Sequence, residues 1–95
     1  MNEITPEKLE KYFSVTQEAF EMAKASGNKT NLGDERVDFL DMISRYISDA
    51  KHFSENDDQV NAFAALNYAH GWLDAGARLG MFDVHDSKLF TVDDE

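Results

Sequence analysis

The stretch that decides the fold is residues 59–79, which read QVNAFAALNYAHGWLDAGARL. Small residues alternate with large apolar ones, so that on a helical wheel apolar and small side chains cover most of the circumference. We therefore expect a helix with protein packed on several sides. Gly80 provides its C-terminal stop. Glycine costs about 1 kcal/mol against alanine inside a helix, so we expect Gly71 and Gly76 to meet a packing need.

Two amphipathic helices precede this stretch. Thr5 followed by Pro6 is a typical helix start, and apolar residues then recur at helical spacing to about residue 25. A turn rich in Gly, Asn and Ser follows, and a second apolar face runs over about residues 34–55. The sequence predicts a single all-α domain, residues 1–95. Its fold is an antiparallel three-helix bundle with helices at about 5–25, 34–55 and 59–79.

The residues after Gly80 form a tail, residues 81–95. Phe82, Leu89 and Phe90 are too apolar to be left in solvent, so we expect an ordered tail that folds back over the bundle. The acidic residues 93–95 are expected to fray.

The composition narrows the classes of partner. With 19 acidic and 9 basic residues, the formal net charge is −10, which repels phosphate backbones and anionic headgroups. We expect no nucleic-acid or membrane partner, and instead a protein partner or a homo-oligomer. The absence of cysteine fits a reducing compartment. Because the N-terminus has no signal-peptide pattern, we expect a cytoplasmic location.

The best candidate site is a polar stripe on the third helix. Spacings of three and four residues place its members on one face. They are Asn67, His70, Gly71, Asp74 and Arg78. We interpret this stripe as a structural or interface surface that the tail or another subunit covers.

The alternative interpretation of the stripe is a ligand- or metal-binding site formed by His70 and Asp74. A pocket that both side chains enter would favour it. His85 and Asp86 in the tail could complete a metal site with His70, but the spacing of the three residues matches no recognisable metal-binding motif. We expect no metal, no cofactor and no catalytic residue.

Arg45 and His52 are separated by six residues on the second helix. This spacing resembles the active-site motif of HEPN nucleases, a family of small helical bundles, and it makes a nuclease a second alternative. The pair is expected on the face opposite the core, and an acidic chain without basic neighbours is poorly suited to RNA.

Other apolar residues suggest surfaces rather than chemistry. Tyr68 and Trp72, four residues apart, can form an aromatic platform, but we expect them to be core residues. Val15, Met22 and Met42 lie off the main apolar faces and indicate a contact surface beyond the monomer.

The run from Ala62 to Gly80 closely resembles the signature of an archaeal family known as domain of unknown function 357. Tyr46, the segment 49–51 and Phe53 upstream, and Phe82, Leu89 and Phe90 downstream, are also similar to that family. The resemblance implies an archaeal source and a short helical bundle. It implies no activity and transfers no catalytic residue.

We therefore expect a non-catalytic protein-interaction or oligomerisation module. The alternatives are a ligand- or metal-binding domain that uses His70 and Asp74, or a HEPN-like nuclease that uses Arg45 and His52.

Overall fold

The computed structural model describes residues 4–90, which form three α-helices and an ordered C-terminal segment, with no strand in that span. The helices are α1, Pro6–Ala25, α2, Gly33–Glu55, and α3, Gln59–Leu79. The predicted all-α bundle is confirmed, with helix bounds within one residue of the prediction. The fraying predicted for residues 93–95 lies outside the described residues. Within residues 4–90, no helix combines the length and the apolar character that crossing a membrane requires.

The helix ends follow the signals in the sequence. Thr5 Oγ1 accepts a hydrogen bond from the Lys8 amide at 3.1 Å, and Asp58 Oδ1 accepts one from the Asn61 amide at 3.2 Å. Gly80 ends α3 in the left-handed conformation, φ +88°, which a side chain would strain. Local chemistry therefore sets where α1 and α3 begin and where α3 ends.

The helices run up, down and up. Near the start of α1 and α3, the rings of Tyr12 and Phe63 meet edge to face at 4.7 Å. At the opposite end, the Lys29 amide beyond α1 donates to the Gly80 carbonyl beyond α3 at 2.9 Å. Hence α1 and α3 run in the same direction and α2 runs antiparallel to both. The most extensive helix contact is that between α2 and α3.

The core has two parts. The smaller cluster lies at the N-terminal ends of α1 and α3 and includes Leu9, Ala50 and Leu66. The larger cluster joins all three helices to the segment after α3, and it includes Phe20, Ile47, Leu73, Phe82 and Phe90. The C-terminal segment is therefore part of the core.

That segment folds back over the bundle, as predicted. Its buried apolar residues are Met81, Phe82, Val84, Leu89 and Phe90. Val15 and Met22 pack against the cluster to which these residues belong. Val15 and Met22 are therefore half-buried against the core, and a contact surface beyond the monomer at these residues stays a prediction. Met42 is half-buried on α2.

Arg36 ties this segment to the bundle, and the sequence patterns did not identify it. Its Nη2 donates to the carbonyl oxygens of Ala23, at 3.0 Å, and Ser26, at 2.9 Å. Its Nε donates to the carbonyl of Met81 at 3.1 Å, and its guanidinium lies 5.7 Å from the centre of the Phe82 ring. One side chain on α2 therefore joins the end of α1 to the segment after α3.

Candidate functional site

The residues of the polar stripe on α3 differ in how deeply they are buried. The side chains of His70 and Asp74 are 29% and 23% exposed, and His70 Nε2 lies 3.7 Å from Asp74 Oδ1. Asn67, Gly71 and Arg78 are exposed. The spacing of four residues thus brings the imidazole and the carboxylate together, at a distance too long for a direct hydrogen bond.

A cavity of about 440 Å³ lies where α1, α3 and the C-terminal segment meet. We call it the polar cavity. Four stripe residues line it together with α1 and the C-terminal segment, and its lining is Tyr12, Val15, Thr16, Leu66, Asn67, His70, Gly71, Asp74 and Lys88. The stripe therefore faces α1 and the C-terminal segment at one edge, while Arg78 lies beyond the cavity at the end of the helix.

The polar side-chain groups that line the polar cavity are an imidazole, a carboxylate, an ammonium, an amide, a phenol and a threonine hydroxyl. They can hold a small polar molecule that carries both charges, since Asp74 and Lys88 lie on different elements around it. Within residues 4–90, no three His, Cys, Asp or Glu side chains are grouped to hold a metal ion.

His85 and Asp86 do not join His70. His85 Nε2 lies 2.9 Å from Asp83 Oδ1, and Asp86 Oδ1 accepts a hydrogen bond from the Lys88 amide at 2.9 Å. The hydrogen bond from His85, followed by the charge of Lys29 at 3.5 Å, lowers the pKa of Asp83. These two residues therefore serve the local structure of the C-terminal segment.

Arg45 and His52 lie on the solvent side of α2, and both side chains are exposed. Arg45 Nε donates to Asp41 Oδ2 at 2.9 Å, one turn earlier on the same helix. Seven positions along a helix separate the two side chains by about 10 Å, so any joint action requires a substrate that spans two turns.

A partly exposed aromatic surface lies between α2 and α3. Tyr68 is 62% exposed, so the expectation that it is a core residue is wrong. Its ring stacks on Tyr46 at 5.5 Å, and the Trp72 ring meets Phe39 edge to face at 4.7 Å. Two ring pairs therefore link α2 to α3 at the surface.

A shallow groove of about 420 Å³ runs along this surface. We call it the aromatic groove, and its lining is Phe39, Asn67, Tyr68, Gly71, Trp72 and Ala75. Asn67 and Gly71 line both the aromatic groove and the polar cavity. The polar stripe is thus a ridge between two concave surfaces. The expectation that α3 has protein packed on several sides is confirmed by its contacts with α1, α2 and the C-terminal segment, and the face that carries Tyr68 and Ala75 is exposed.

The two glycines inside α3 differ in their surroundings. A Cβ at Gly76 would overlap the ring of Phe82, which confirms the packing need predicted there. A Cβ at Gly71 would meet no atom within 4 Å outside its own helix. Gly71 therefore opens space on the surface of the chain, and no packing within the described residues requires it.

The sequence profile of a family described as "Protein of unknown function (DUF357)" matches residues 11–82, which is more than half of the chain. This span holds all of α2 and α3, both ring pairs and the start of the C-terminal segment. No curated protein and no solved structure matches the chain.

Proposed function

The chain belongs to the DUF357 family, and because that family has no known function, we propose from the surface geometry that it is a non-catalytic protein-interaction module. The observation that carries the proposal is the aromatic groove, with Tyr68 62% exposed at its rim. The module binds through this groove.

Tyr68 is the exposed ring of the two pairs, while Tyr46, Phe39 and Trp72 are partly buried and pack against the core. A large aromatic side chain buries about 150–250 Å² on contact, and Tyr and Trp are the residues most enriched where interfaces gain their affinity. Here Tyr68 stacks on Tyr46, and Trp72 packs edge to face on Phe39, so a ring of α2 supports each of them. A preorganised surface loses less side-chain entropy on binding, which favours a contact role.

The net charge of the chain favours a protein over other partners. The chain carries a net charge of −10, which disfavours phosphate backbones and anionic membranes. The cysteine-free sequence and the family resemblance lead us to include a cytoplasmic location and an archaeal source in the proposal.

A photo-crosslinking amino acid in place of Tyr68 tests the proposal in cells that produce the protein. We expect crosslinks from position 68 to a defined polypeptide, either this chain or another. The matched control is position 37, because Val37 is 67% exposed on α2 and does not line the groove. Equal and diffuse crosslinking from both positions would refute an interaction at the aromatic groove.

A second candidate function is the binding of a small polar molecule in the polar cavity. It is favoured by one observation, that His70, Asp74 and Lys88 line the same cavity. A thermal-shift screen of small zwitterions and metal ions tests it. A ligand at 100 times its dissociation constant adds about 2.7 kcal/mol to stability, and His70→Ala should remove the gain. A response that survives His70→Ala would place the ligand elsewhere.

A further inference from the structure

We propose that the partner at the aromatic groove is a second copy of this chain, bound by antiparallel packing of α3 on α3 about a two-fold axis between Gly71 and Trp72. This inference rests on the proposed function, since it names the occupant of the same groove. Three features carry it: the pairing of large with small residues, the distribution of charge, and the open space at Gly71.

Large and small residues on the open face of α3 match each other in one antiparallel register. In a two-fold helix pair, each residue lies opposite one as far from the axis on the other side. An axis between Gly71 and Trp72 places Tyr68 opposite Ala75, and Leu79 opposite Ala64. Tyr68 and Leu79 are the large exposed residues at this end of α3, 62% and 57% exposed. Each therefore meets an alanine, and Trp72 meets Gly71.

The open space at Gly71 lies at the centre of this arrangement. A Cβ at Gly71 would have no neighbour within 4 Å outside its own helix. Glycine inside a helix costs about 1 kcal/mol against alanine, and no packing within the described residues offsets that cost. Because residue 71 has no side chain, the helix of a second copy can approach closely here, beside the Trp72 ring that packs edge to face on Phe39 of its own chain.

Charge favours this face for contact between two copies. Two chains of net charge −10 repel each other, so a dimer needs a face without carboxylates. The exposed residues of α3 include one charged side chain, Arg78, and no carboxylate. The exposed surface of α2 instead carries six acidic side chains: Asp34, Glu35, Asp38, Asp41, Asp49 and Glu55. Self-association through α3 therefore brings fewer like charges together than self-association through α2 does.

Sedimentation velocity over a range of protein concentrations tests whether the chain forms the proposed dimer. We expect a dimer that becomes tighter between 50 and 500 mM salt, on the order of several-fold, because salt screens the repulsion between acidic copies. Tyr68→Glu should weaken the dimer at least about tenfold, and Val37→Glu should leave it within about twofold. Thermal melts of dilute protein verify that both variants fold.

The register is tested with single cysteines, since the natural chain has none. In an antiparallel pair, two copies of residue 71 lie within about 2 Å of each other along the helix axis, and two copies of residue 75 about 10 Å apart. Gly71→Cys should therefore form a disulfide-linked dimer on oxidation, and Ala75→Cys should not. Disulfides at both positions would indicate a parallel pair and would overturn the register.

The outcomes separate the two proposals. If the protein is a monomer at all concentrations and at both salt concentrations, and position 68 crosslinks to a different protein, the proposed homodimer is overturned and the proposed interaction function is supported. A dimer that Tyr68→Glu leaves intact overturns the second copy at this groove. A monomer without specific crosslinks from position 68 overturns both.

Discussion

The ring of Phe82 occupies the place that a side chain at Gly76 would fill. Gly76 lies in the last turn of α3, and Phe82 is almost completely buried six residues later. The Met81 amide donates to the Gly76 carbonyl at 3.0 Å, so the chain turns back over its own helix at this point. The missing side chain thus allows the C-terminal segment to enter the core.

Gly76→Ala should destabilise the protein, although alanine is the better helix former. Overlap with Phe82 costs about 2–3 kcal/mol, and the gain in helix propensity is about 1 kcal/mol, so a net loss of about 1–2 kcal/mol is expected. Urea denaturation measures it. The matched control is Gly71→Ala at dilute protein, where the open space should give a gain of up to about 1 kcal/mol. Equal effects at the two positions would contradict the packing of Phe82 on α3.

Arg36→Gln should cost about 2–3 kcal/mol, because it removes charged hydrogen bonds to the carbonyls of Ala23, Ser26 and Met81. Arg36→Lys should recover little of this loss, since one ammonium lacks the planar fork that reaches several carbonyls at once. Arg45→Gln is the control, because Arg45 is exposed and its guanidinium pairs with the exposed Asp41 on the same helix. It should change stability by at most about 0.5 kcal/mol. An Arg36→Lys variant as stable as the wild type would refute the role of the fork.

Most of the fold could be predicted because its signals are local. Thr5, Asp58 and Gly80 mark helix ends through chemistry that acts within a few residues. The apolar residues of α1 and α2 recur at the helical period, and Leu89 and Phe90 are too apolar for solvent. Each of these features can be read without knowledge of which helix faces lie against each other.

The surface could not be predicted in the same way, because it depends on where α2 and the C-terminal segment come to rest. Tyr68 shares its spacing with buried aromatic residues, and only the position of α2 leaves it exposed. Arg36 could not be recognised, since its carbonyl partners lie up to 45 residues away in the sequence. Gly71 and Gly76 are both glycines inside the same helix, so the sequence does not distinguish them. They differ because the ring of Phe82 packs against Gly76 and no side chain of the described residues packs against Gly71.

Phe90→Ala tests whether the C-terminal segment is part of the core. Phe90 is 3% exposed and belongs to the same cluster as Ile47 and Leu73. Removal of a buried aromatic ring costs about 3–5 kcal/mol. Lys88→Ala, an exposed position two residues earlier, should change the free energy of unfolding by less than about 0.5 kcal/mol. Similar small effects at both positions would show that the segment contributes little to the fold.

Asp83 makes the stability of the fold depend on pH in the acidic range. Its pKa is lowered, first by the hydrogen bond from His85 and then by the charge of Lys29, so the folded state favours the ionised carboxyl. The stabilising contribution is therefore fully present above the ordinary pKa of an aspartate, about 3.9, and is lost as the pH falls through the lower folded value. A carboxyl titration by NMR should show the pKa of Asp83 rising in His85→Ala. Lys29→Ala should raise it less, because the hydrogen bond from His85 is the larger cause. A pKa that neither variant moves would show that this pair leaves the carboxyl unaffected in solution.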